Sequence, residues 1–232
     1  MKINQQDVFL ISFRICPFVV RSQIVAEEKG ITLSTTYIDL DNKPDWFLKM
    51  SPTQTVPALT IGDKVIFESS IICDFIDAIT LESLYPDDLV AKYHNKSWIE
   101  FVSTIIFQQY SFMLSKDEDK YTDNLQQFES SLKKIEAIFP SSPYFNGEPF
   151  SIIEAAFAPV AFRMELTKSL VGHDSFVELP KIRMWATNIL KRNSVKKYLD
   201  RKFEEEFVDH LVSNDAIMVS RSFPSMKNIL SL

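Results

Sequence analysis

What most constrains this chain is that a strand, a proline-initiated helix and a second strand follow one another in its opening residues. Residues 7–12 (DVFLIS) are an apolar run too brief for a helix, and they lead straight into Phe13-Arg14-Ile15-Cys16. That pattern predicts a buried strand ending in a turn. Pro17 suits the first position of a helix, where its missing N–H is no loss, and Gly30 suits the stop, so residues 17–29 are expected to be helical. Residues 32–39 (TLSTTYID) are rich in β-branched side chains and read as the second strand.

A short polar connection, residues 42–50, comes next, then Ser51-Pro52 and Val56-Pro57. Gly62-Asp63-Lys64 is turn chemistry between two apolar runs, so residues 57–67 are expected to form a β-hairpin. Glu68-Ser69 opens a helix whose apolar face is Ile71, Ile72, Phe75, Ile76 and Ile79. The order is β-α-β, a connection, then β-β-α. Residues 81–88, with Pro86, lose periodicity and read as a linker between a first domain over 1–80 and a second over 89–232. The second domain is expected to be all helical, with helices over 90–114, 122–139, 151–170, 180–192 and 195–211 and a tail of unassigned structure from Ser213.

Composition narrows the function. Hydrophobic residues make up 46% of the 232 positions and only 4 are glycine, which fits a helix-rich globular chain. A formal net charge of -6 argues against a general nucleic-acid binder, which needs a basic surface to displace counterions from phosphates. Cys16 and Cys73 lie too far apart in sequence for a CxxC knuckle or a disulfide scaffold, which fits a reducing compartment. The N-terminus MKINQQDVFLIS lacks an apolar h-region, and no stretch reaches the length of a membrane span, so a cytoplasmic location without membrane association is expected. His94, His173 and His210 are scattered without ligand spacing, and no metal is expected.

Three places carry potential chemistry. Cys16, at the strand-to-helix turn, faces unpaired amides and the positive end of a helix, which favour a thiolate; a small buried core residue is the equal alternative. Before an apolar strand, the backbone of Val56 ahead of Pro57 could pair with an extended peptide, although an ordinary trans proline at a strand start is the commoner case. Glu68-Ser69 at a helix start could receive a carboxylate and an ammonium group, or could simply cap the helix.

The segments FRICPFVVRSQIVAEEKGI, YIDLDNKPDWFLKMSP, TVPALTIGDKVIFESSIICDFID and LYPDD resemble soluble glutathione transferases, most closely the omega class and related bacterial proteins with a CPF motif. The likeness covers nearly all of residues 8–88. It implies an α/β plus all-α fold: an N-terminal thioredoxin-like domain (βαβ-ββα) that holds glutathione as cosubstrate, and a helical C-terminal domain that forms a second-substrate pocket. By the same resemblance Cys16 is the catalytic cysteine that forms a mixed disulfide with glutathione, and Phe18 is the phenylalanine of the CPF motif. Lys43 would help hold the glycyl end, Val56 would pair its backbone with the cysteinyl part ahead of a cis Pro57, and Glu68 and Ser69 would take the γ-glutamyl end. A homodimer and a small hydrophobic or oxidised thiol substrate are further expectations of the family.

Val19 stands where a dithiol glutaredoxin has its second cysteine, so a redox cycle would draw on a second glutathione. Cys73, among Ile71, Ile72 and Phe75, reads as a buried structural residue. Ser12, the position to weigh as an activating hydroxyl, reads as a strand end, and Arg14 and Arg21 read as surface and structural residues. Ser151 and Glu154 form a capping box. The aromatics Trp98, Phe101, Phe107, Tyr110 and Phe112 crowd one helix, as core, dimer interface or part of the substrate pocket. The expected activity is glutathione-dependent thiol transfer or reduction through Cys16. The alternatives are conjugation or isomerisation of electrophiles, and a non-catalytic interaction protein resembling the stringent starvation proteins.

Overall fold

A computed structural model describes residues 8–140 and 142–222; Asp7 of the expected first strand and the tail beyond 222 lie outside them. β1 (Val8–Ser12), α1 (Pro17–Glu28) and β2 (Ser34–Tyr37) form the β-α-β unit, with β2 parallel to β1. β3 (Ala58–Ile61) and β4 (Lys64–Phe67) form the hairpin, turning at Gly62, whose φ of 56° suits a residue without Cβ. β3 runs antiparallel to β1, which sets the strand order β2-β1-β3-β4. Leu10, Ala58 and Leu59 of the central strands are fully buried, and α1 packs beside α3 (Ser69–Ala78), whose Ile72, Cys73 and Ile76 are fully buried. This is the thioredoxin-like layer expected from the sequence.

Two expectations in this half need correction. The second strand is shorter than residues 32–39, and the polar connection contains a helix, α2 (Asp45–Met50). Phe47 is its one buried side chain, so α2 shows no apolar period that a sequence could reveal.

The second half is helical. α4 (Leu89–Met113) is capped by Asp88, whose carboxylate accepts from the Ala91 amide at 2.8 Å. α5 (Glu118–Ile138) begins earlier than expected because Asp117 caps it, accepting from Lys120 at 2.9 Å. α6 (Ile152–Val171) and α7 (Pro180–Lys191) follow. The single helix expected over 195–211 is instead α8 (Asn193–Lys196) and α9 (Arg201–Ser213), separated where the Asp200 carboxylate turns to cap the second by accepting from Phe203 at 2.8 Å. The tail adds α10 (Ile217–Ser222). No helix among the described residues is long and apolar enough to cross a membrane.

The Ser151–Glu154 capping box forms, and it reaches further than a cap. Glu154 is fully buried and also accepts from the Phe145 amide at 2.8 Å and from the Trp185 indole at 2.9 Å. One carboxylate thereby fixes the α6 start, the preceding loop and α7 around a core in which Trp185 stacks on Phe157 at 4.2 Å. The two halves meet where α6 and α8 pack against α1, with Glu28 accepting from Arg192 and Ser194.

Candidate active site

The turn after β1 delivers Cys16 to the N-cap position of α1. Its amide donates to the Phe13 carbonyl at 3.0 Å, and its own carbonyl accepts from Val19 and Val20 at 3.2 and 3.1 Å, starting the helix. Pro17 has no N–H, so the amides that act on the sulfur are those of Phe18 and Val19, the latter also bonded to the Cys16 carbonyl. Across the turn the thiol donates to the Val56 carbonyl at 3.8 Å. The Val56-Pro57 peptide is cis, as the resemblance implied.

The acidity of Cys16 does not follow the expectation of a depressed pKa. Burial pushes the thiol up from its ordinary value, and the amides of Val19 and Phe18 with the guanidinium charges of Arg163 and Arg21 pull it down without overcoming that effect. The helix start favours the anion as the sequence suggested; desolvation by the folded surroundings outweighs it.

A cleft of about 500 Å³ opens at Cys16, within the range usual for small-molecule sites. It brings together all seven residues singled out in the sequence: Cys16, Phe18, Lys43, Val56, Pro57, Glu68 and Ser69. The connection that holds Lys43 is folded against the loop before β3, where the Lys43 ammonium donates to the Gln54 carbonyl at 3.0 Å. Glu68, exposed, precedes α3 with φ 66° and ψ 113°, a backbone conformation that costs a non-glycine residue about 1–3 kcal/mol. Ser69, buried, begins the helix.

Arg21, read from the sequence as structural only, lies on the wall of this cleft. It is buried on α1, donates from Nε to the Ser69 hydroxyl at 2.9 Å and from Nη1 to the Ser103 hydroxyl at 2.9 Å, and stacks over Phe18 with 5.1 Å from Cζ to the ring centroid. One side chain thus ties α1, α3 and α4 together at the cleft. Because the Ser69 oxygen accepts from Arg21, its hydroxyl proton is free to point outward to an anion.

Most of the other candidates fall outside the cleft. Arg14 pairs with Glu206 at 3.2 Å and lies over the Tyr37 ring, tying the turn to α9. Ser12 is fully buried, has no partner for its hydroxyl among the described residues and does not line the cleft. Cys73 is fully buried beside Ser22, and burial pushes its thiol up to about 11. Of the α4 aromatics, Phe107 lines the cleft and Phe112 is core, while Trp98 and Phe101 pack on each other, with Trp98 also against Phe145.

Arg163 is the residue that the sequence reading missed. It lies on α6, is 1% exposed, and donates from Nη2 to the Ile15 carbonyl at 2.9 Å, one residue before Cys16. The available signal was a lone cation inside the apolar run AAFAPVAFRM, where a charge must have a purpose to offset its desolvation.

The family model for the glutathione S-transferase N-terminal domain matches residues 15–79, and that for the glutathione S-transferase C-terminal domain matches residues 118–188. The chain is 29% identical to pyrimidodiazepine synthase of Drosophila melanogaster over 208 residues, 86% of this chain and 84% of that protein. It is also 29% identical to glutathione S-transferase omega-1 of Sus scrofa over 188 residues, 79% of this chain and 77% of that one. Among solved structures, glutathione transferase Omega 3C of Trametes versicolor superposes with a TM-score of 0.75 at 26% identity, covering 85% of this chain and 90% of the other.

Proposed function

Since the chain belongs to the glutathione S-transferase family, we propose that it is a glutathione-dependent thiol transferase in which Cys16 is the reacting atom. The observation that carries this reading is the placement of the Cys16 sulfur at the start of α1, 3.8 Å from the Val56 carbonyl and in one cleft with Lys43, Glu68 and Ser69. Those groups suit a tripeptide. A cation at Lys43 meets the glycyl carboxylate, the Val56 backbone pairs with the cysteinyl unit, and Ser69 and Glu68 receive the carboxylate and ammonium of the γ-glutamyl end.

In the first step the Cys16 thiolate attacks the glutathionyl sulfur of an oxidised substrate. A Cys16–glutathione disulfide forms, the substrate sulfur leaves with the electron pair of the broken bond, and it takes up a proton. A second glutathione thiolate then attacks the same glutathionyl sulfur, releasing Cys16 as thiolate and leaving oxidised glutathione. Val19, at the position of a dithiol enzyme's resolving cysteine, and the buried Cys73 make the external thiol necessary. A peptide paired with Val56 also competes for the carbonyl to which the Cys16 thiol donates, removing a contact that favours the protonated form. The buried Ser12 offers no hydroxyl to the cleft, which counts against conjugation activated by that serine.

The test is to mix the reduced protein with oxidised glutathione and weigh it intact. One glutathione adduct is expected on the wild type and on Cys73→Ser and none on Cys16→Ser. An adduct retained by Cys16→Ser, or full thiol-transferase activity in that variant, would overturn the reading.

A further inference from the structure

A second, smaller cavity of about 170 Å³ also reaches Cys16. Its walls are mostly apolar, with Phe13, Ile15, Leu40 and Ile106 among them, and no carboxylate lines it. Its polar groups are Arg163, Tyr110 and His210. Tyr110 and His210 meet at 3.1 Å between the phenol oxygen and Nε2, joining α4 to α9. Glu206 and Asp209 of α9 line a neighbouring cleft that shares Phe13, Ile15 and His210 with this cavity, Glu206 is engaged by Arg14, and the Asp41 carboxylate outside the lining acts on Tyr110 and His210.

Arg163 is poorly provided for by the protein itself. Apart from the Ile15 contact its guanidinium lies over the Phe207 ring at 4.4 Å, and Nε and Nη1 have no acceptor among the described residues. It makes no ion pair among them either. Burying such a group without partners is costly, whereas a methionine or leucine would fill the space without that cost. Burial lowers its pKa only to about 10, so it stays cationic at neutral pH. A cation in a low-dielectric wall, with no carboxylate in the lining of the cavity, gives it a positive potential.

We propose that Arg163 makes this cavity selective for a second substrate that carries an oxyanion, such as a carboxylate, close to the sulfur that leaves when Cys16 attacks the glutathionyl group. The inference rests on the reading of Cys16 as the reacting atom and adds the chemical class of its partner. The apolar walls take the body of the small molecule, and Arg163, with the Tyr110–His210 pair at hand, takes its charge.

Iodoacetate and iodoacetamide test this directly. With either one the Cys16 thiolate forms a carbon–sulfur bond to the methylene and iodide leaves with the electrons of the carbon–iodine bond; only the bystander group differs in charge. Both need the thiolate, so the ratio of their rates at one pH reports the cavity field and not the Cys16 pKa. Labelling of the Cys16 peptide in the full chain is expected to show an iodoacetate-to-iodoacetamide ratio about tenfold above that of free glutathione in the same buffer. Arg163→Met should return the ratio to the free-thiol value, and Arg163→Lys should keep part of the preference. A wild-type ratio equal to that of free glutathione overturns the inference without any variant, as does a ratio unchanged in a folded Arg163→Met. If neither reagent labels Cys16, the reading of Cys16 as nucleophile fails and the inference with it.

Discussion

The guanidinium of Arg21 on α1 holds the hydroxyl of Ser69, the first residue of α3, at 2.9 Å from Nε, and does so from a position almost wholly buried. Two helices that start at opposite ends of the thioredoxin-like chain path are thereby locked at the same cleft, and Ser103 on α4 brings the helical half into the same clip.

Arg21→Met keeps most of the packing and removes the clip. It leaves two hydroxyls short of a donor, and it is expected to lower stability by about 1–3 kcal/mol. It should also weaken glutathione binding, because Ser69 loses its fixed orientation. Chemical denaturation and titration calorimetry check the two effects separately; unchanged affinity in a destabilised protein would remove Arg21 from the site.

Glu68 sits at φ 66°, where glycine is at ease and glutamate is not. Glu68→Gly is therefore expected to relieve backbone strain, so that its stability falls little or rises despite glycine's greater freedom in the unfolded chain. Glutathione affinity should fall, because the carboxylate offered to the ammonium group is gone. A loss of affinity with stability held is the outcome that marks Glu68 as a site residue kept at a conformational cost.

Asp77, near the end of α3, links the stability of the fold to pH. Burial disfavours its charge, but the Leu84 amide, the Ser83 hydroxyl and the Lys29 ammonium at 3.0 Å outweigh it and hold the carboxyl below its ordinary 3.8. A folded pKa below the unfolded one means that the stabilisation is complete above the unfolded value and is lost as pH falls through the folded one. Asp77→Asn should thus cost about 1–3 kcal/mol at pH 7, and the gap to wild type should narrow below about pH 4. Urea unfolding at several pH values measures it; a gap independent of pH would show that packing and not charge makes the contribution.

Cys16, Val56, Pro57, Glu68 and Ser69 lie at local junctions, either a strand end, the turn before a hairpin or a helix start, and those junctions are written in short-range residue chemistry; grouping the five into one site came from the family resemblance, since the local chemistry of each also fitted a purely structural role. The order of the elements followed from the same signals. α2 was not legible, since a six-residue helix with one buried side chain has no period to read. The division of the expected 195–211 helix into α8 and α9 depended on whether Asp200 would cap a new helix or continue an old one, which packing decides.

The chemistry of the cleft divides along the same line. Sequence alone placed a thiol at a helix start and so fixed the attraction of amides for its anion, a local effect. Only the tertiary structure could set burial against that attraction and reverse the direction of the Cys16 pKa, because desolvation comes from residues distant in the chain. Arg163 is the extreme case. It reaches the Ile15 carbonyl from α6, in the other half of the molecule. No pattern of neighbours could announce that contact, since the charge acquires its meaning from what the fold places beside it.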